Sequence, residues 1–110
     1  MTERERLPEK SVNYKEVHWN TVEGDMMHCI GLGGRHKPYT RHGRQFYRPW
    51  RNRYCASTSG DGYERWKVLE DKGYAERYDQ TEISVMFRLT RAGLDWLGER
   101  LNIKIHDERD

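Results

Sequence analysis

Residues 61–101, DGYERWKVLEDKGYAERYDQTEISVMFRLTRAGLDWLGERL, carry the signals that decide the fold. Ile83, Val85, Phe87 and Leu89 alternate with Ser84, Met86 and Arg88, and a period of two marks a half-buried strand. Residues 74–78 can also be extended, and the polar 79–82 is a usual hairpin length, so the two segments predict a β-hairpin. Ahead of it, Asp61 and Glu64 have the spacing of a capping box, while Tyr63, Trp66 and Leu69 recur every third residue. Gly73 stands where a left-handed residue closes a helix, which gives a helix over 62–72. Beyond the hairpin, Thr90 caps a helix over 91–101 with Leu94, Leu97 and Leu101 on one face, weakened by Gly93 and Gly98. Trp66, Leu69, Val85, Phe87, Leu89, Leu94, Leu97 and Leu101 are therefore the expected core.

Working outward, Thr21 can cap a helix whose apolar face holds Val22, Met26, Met27 and Ile30, ended by Gly31, Gly33 and Gly34. Ile103 and Ile105 alternate and can add a third short strand. Residues 1–18 are polar and aperiodic, the pattern of a flexible tail or weakly docked extension, which leaves 19–110 as a single small α+β domain. An apolar share of 35% against an equal charged share implies a thin core under a strongly solvated surface. The longest stretch without an ionised side chain, 26–34, is too short to span a membrane, and the first residues lack the apolar run of an export signal. Two cysteines define no disulfide framework, so reduced thiols and a cytoplasmic setting are expected.

Charge is partitioned along the chain. Residues 1–25 have a net charge of −2, residues 26–60 hold seven Lys/Arg and no acid, and residues 61–110 have a net charge of −3. Folded together, the middle segment would present a positive face to a partner. Six of its seven cations are arginine, which makes planar bidentate contacts to phosphate. Tyr39, Phe46, Tyr47, Trp50 and Tyr54 are interleaved with them. Pro38, Gly43 and Pro49 exclude a long helix, so the segment is expected as a loop with a turn at His42-Gly43 and a short extended piece near 45–48.

The run from Trp66 to Leu101 resembles the carboxyl half of winged-helix proteins of the MarR and PadR kind. Leu69, Gly73, Leu89, Thr90, Gly93 and Leu97 stand where that family has a helix end, a two-stranded wing and the opening of the next helix. The resemblance implies a winged-helix-like variant, because the dense prolines, glycines and arginines of 31–60 occupy the place of the second helix. It also implies that a homodimer is open to the chain, since such regulators commonly dimerise. The whole chain, through HCIGL, RHGRQFYRPWRN and LTRAGLDWLG, also looks like short proteins encoded in bacteriophages and prophages, which implies a bacterial cytoplasmic setting and brings no activity with it.

Nucleic-acid binding is the sharpest reading of the basic segment. Arg41, Arg44, Arg48, Arg51 and Arg53 would meet phosphates, and Tyr47 or Trp50, with Phe46 as another candidate, would stack on bases. The alternative is a protein-interaction module in which the same basic aromatic face docks an acidic partner. Cys29, His36, His42 and Cys55 have the chemistry of a zinc quartet without its knuckle spacing, so no metal or other cofactor is expected. No phosphate loop, carboxylate pair or nucleophile elbow is present, so the protein is read as non-enzymatic.

Overall fold

One hydroxyl opens the last helix. In the computed structural model, which describes residues 12–107, the Thr90 hydroxyl accepts from the Gly93 amide at 3.1 Å and starts helix α3, Arg91–Leu101. Its two glycines, unfavourable for a helix in isolation, are required by close approach. A Cβ at Gly93 would collide with the Tyr74 carbonyl oxygen, and one at Gly98 with that of Ile103. The residues that weaken the helix let its neighbours lie against it.

The first helix, α1 (Val22–Ile30), begins at Thr21, whose hydroxyl accepts from the Gly24 amide at 3.0 Å. The second, α2, spans Asp61–Asp71. All three helices end alike: Gly31, Gly73 and Asn102 take left-handed backbone, and the following amides of Leu32, Tyr74 and Ile103 fold back to Met27, Leu69 and Gly98 at 2.9 Å. Asp61, nominated as a cap by its spacing to Glu64, lies instead inside the first turn of α2. Gly60 holds the cap position with no side-chain hydrogen bond.

Among the described residues six strands form two sheets: β1 (Tyr39–Arg41), β2 (Arg44–Tyr47), β3 (Tyr54–Ser57), β4 (Ala75–Gln80), β5 (Ser84–Leu89) and β6 (Lys104–Ile105). The orders are β3-β5-β4 and β1-β2-β6. In the first sheet β5 is central and antiparallel to both neighbours, with a register irregularity between Arg77 and Asp79. Val85, Phe87 and Leu89 are buried as the alternation requires. Ile83 is not; it lies before the start of β5 and is 81% exposed. Asn52 secures the end of β5, its amide donating to the Leu89 carbonyl at 3.0 Å and its oxygen accepting from the Leu89 amide at 2.8 Å.

Every residue of the expected core is buried, and Trp66 stacks on Phe87 with centroids 5.3 Å apart. Met26, Cys29 and Ile30 of α1 are buried with them. The buried Asp25 is matched by Arg65, whose Nε donates to Oδ2 at 2.7 Å and ties α1 to α2. Removing one partner of such a pair strands a charge and costs about 3–5 kcal/mol.

Residues 1–11 of the expected tail lie outside the described residues. From Val12 the chain is docked: the Val12 amide donates to the Arg100 carbonyl at 2.7 Å, Tyr14–Glu16 form a 3-10 turn, and Tyr14 and Val17 pack on the core. The segment 12–18 thus belongs to the folded unit. Among the described residues, no helix is long and apolar enough to cross a membrane. The third strand expected from Ile103 and Ile105 exists as β6, but its partner is the hairpin of the basic segment, not the β4-β5 hairpin.

Candidate nucleic-acid interface

His42 and Gly43, with φ of 53° and 79°, form the two-residue turn whose twist suits a hairpin. It sets the register Arg41↔Arg44, Thr40↔Gln45 and Tyr39↔Phe46. Directly opposed residues share a face, so Arg41 and Arg44 stand side by side on the face that carries Tyr39 and Phe46. The parallel pairing of β2 with β6, Phe46↔Lys104 and Tyr47↔Ile105, adds Lys104 to that face and puts Tyr47 with Ile105 on the buried one. The His106 amide continues the pairing by donating to the Tyr47 carbonyl at 3.0 Å. Its ring lies nearly parallel to Phe46, 11° between planes and 6.1 Å between centroids, while Tyr39 lies 5.7 Å from Phe46 on the other side at 20°. One sheet face therefore carries three near-parallel rings, Tyr39, Phe46 and His106, beside Arg41, Arg44 and Lys104.

The cations elsewhere are largely committed. Arg65 pairs with Asp25, Arg77 with Glu70, Arg88 with Glu76, Arg91 with Asp95, Arg100 with Glu23, and Lys67 with Glu70 and Asp71. The hydrogen-bonded Arg77 guanidinium holds the Glu70 carboxyl below its usual range, against the opposing effect of burial. No cation of residues 26–60 forms a salt bridge among the described residues. One side has an acidic border: Arg44 and Lys104 share a cleft of about 340 Å³ with Asp95 and Glu99 of α3.

Two of the seven residues nominated by the sequence have structural roles instead. Tyr47 is only 4% exposed, and its hydroxyl donates to the Ile30 carbonyl at 3.2 Å. Burial pushes its phenol up to about 12, with the Arg51 charge pulling weakly the other way. It is a core residue and has no ring face for a base. Arg51 donates from Nε and Nη2 to the His28 carbonyl at 3.2 and 2.6 Å, closing the end of α1, and lies 4.7 Å over the Trp50 ring. Trp50 keeps 52% of its surface exposed, but its ring stacks with His36 at 4.9 Å and its Nε1 donates to the Gly31 carbonyl at 3.2 Å. Arg48 and Arg53 are exposed on either side of this cluster, outside the β1-β2 register that pairs Arg41 with Arg44.

Three residues of the face were not nominated by the sequence: Tyr39, Lys104 and His106. Tyr39 could have been found by counting back from the His42-Gly43 turn, whereas Lys104 and His106 arrive through a tertiary pairing far along the chain. Cys29 is buried with its Sγ donating to Asn52 Oδ1 at 3.3 Å, and Cys55 is exposed on β3. Among the described residues no group of three or more His, Cys, Asp or Glu is placed to hold a metal ion. No protein-family model, curated protein or solved structure matches this chain.

Proposed function

We propose that the protein is a non-enzymatic nucleic-acid-binding protein that acts through phosphate neutralisation on the face formed by β1, β2 and β6. The observation that carries the reading is the cross-strand Arg41/Arg44 pair, flanked by Lys104 and without a salt bridge to any described carboxylate. Each such cation that meets a phosphate releases a condensed counterion and adds affinity that falls with salt. The succession of α2, the β4-β5 hairpin and α3 fits a winged-helix-like variant in which the basic hairpin, rather than a second helix, supplies the contact. A phage-encoded protein of the bacterial cytoplasm is the setting we infer for it.

The test is a binding titration of labelled DNA and RNA across a range of salt concentrations. The logarithm of the affinity should fall linearly with the logarithm of salt, and Arg41→Gln or Arg44→Gln should each reduce the slope by about 0.7–0.9. A flat salt dependence would remove the proposal. The competing reading, an acidic protein partner on the same face, predicts that poly-glutamate displaces labelled nucleic acid as well as unlabelled nucleic acid does.

A further inference from the structure

We infer that the ligand is single-stranded, a base stacking on Tyr39 at the open end of the aromatic row of the β1-β2-β6 face while Arg41, Arg44 and Lys104 hold its backbone. This rests on the nucleic-acid reading above and narrows it. The first support is the row itself. Tyr39 comes from β1, Phe46 from β2 and His106 from the residue after β6, with planes within 20° of their neighbours. Tyr39 ends the row on the edge strand and is 43% exposed, so a base placed beyond it continues the row as a further plate. Stacking of this kind accepts any base, because every base has a π-face, but that face must be unpaired and splayed out. In a duplex the base faces are already covered by their neighbours, and the rings would have nothing to meet.

The second support is the composition of the rest of the surface. A chain with only sixteen Ile, Leu and Val has few apolar side chains to spare, yet it leaves Tyr39 exposed and Phe46 only part-buried among cations. The third is the sign of the alternative contact surface. A helix that reads duplex DNA must lie against two rows of phosphate. In α2, Asp61, Glu64, Glu70 and Asp71 outnumber Arg65 and Lys67, and both cations are already paired. Asp79 and Glu82 give the end of the β4-β5 hairpin the same sign. The acidic helix and hairpin repel a duplex, and the basic aromatic face remains for a strand.

The experiment compares fluorescence anisotropy of labelled oligothymidylate and oligouridylate, each about twenty nucleotides long, with a blunt duplex of equal length. The protein should bind at least one of the single strands roughly tenfold or more tightly than the duplex at equal salt. Tyr39→Leu preserves apolar volume while removing the open π-face and should weaken single-strand binding by about fivefold or more, whereas Phe46→Leu, whose ring is flanked by Tyr39 and His106, removes only the support behind Tyr39 and should weaken it less. Duplex binding should change by less than about twofold, and the salt slope should stay the same, since no phosphate contact is lost. Tyr39→Leu changes an exposed edge residue and keeps the test decisive if Phe46→Leu lowers the melting temperature. Equal affinity for strand and duplex, with Tyr39→Leu indifferent, would overturn the stacking inference and leave phosphate binding standing. Failure to bind any of the three probes would overturn both.

Discussion

Tyr47 supplies a prediction that separates a core residue from a ligand contact. Its phenol is pushed from the ordinary value near 10 to about 12, chiefly by burial. Below about pH 10 the phenol is neutral in both the folded and unfolded chain, so its contribution to stability is fully present. Above that, the unfolded phenol ionises while the folded one resists, and stability falls until the pH passes the folded value. Two pH units at about 1.4 kcal/mol each give a loss of roughly 3 kcal/mol. Tyr54 is also raised, by burial first and then by the Asp25 charge, and contributes in the same direction. The informative quantity is therefore the difference between the parent protein and Tyr47→Phe. That variant loses the hydrogen bond to the Ile30 carbonyl and should be less stable by about 1 kcal/mol at neutral pH. As the pH rises above about 10 it should lose less stability than the parent, so that the two curves converge and then cross. Urea denaturation at a series of alkaline pH values measures this, and tyrosinate absorbance of the folded protein should show a late-titrating phenol that the variant lacks. Parallel stability curves would refute the reasoning. Nucleic-acid affinity at neutral pH should be unchanged in Tyr47→Phe, since its ring faces the core.

Two glycines in helices should respond oppositely to the same change. Gly62→Ala meets only the end of the Arg65 side chain at 3.8 Å and should stabilise by about 0.5–1 kcal/mol, whereas Gly93→Ala must displace the Tyr74 backbone and should destabilise by about 1–3 kcal/mol in thermal melts. Asn52→Ala removes both partners of the Leu89 backbone and should cost about 1–3 kcal/mol, with faster hydrogen exchange at the Leu89 amide as its local signature.

The elements that were legible in the sequence are those whose signals repeat. Thr90, the leucines at 94, 97 and 101, and the alternation from 85 to 89 each combine a cap or a period with burial on one face. The strand YCAS at 54–57 carries only one buried apolar residue, Ala56, and exists because Tyr54, Ala56 and their neighbours pair with the strongly patterned β5. A strand of four residues such as RQFY has two parities and no internal sign of which faces inward. That parity is decided by Ile105 and Ile30 packing with Tyr47, so the sequence could nominate the ring but not its side. The basic segment and its turn were legible; the choice of Arg41 and Arg44 over Arg51 was not, because the His28 carbonyl that occupies Arg51 becomes visible only when α1 is folded.

The parallel pairing of Tyr47 with Ile105 has a consequence for biosynthesis. A hairpin closed by a two-residue turn forms within microseconds of leaving the ribosome, but its third strand is translated only after both later helices. At ordinary elongation rates that interval is on the order of several seconds. During it, the nascent chain displays arginines and two of the three strands of a sheet beside messenger and ribosomal RNA, so the order of translation delays completion of the basic sheet face until the rest of the domain has condensed.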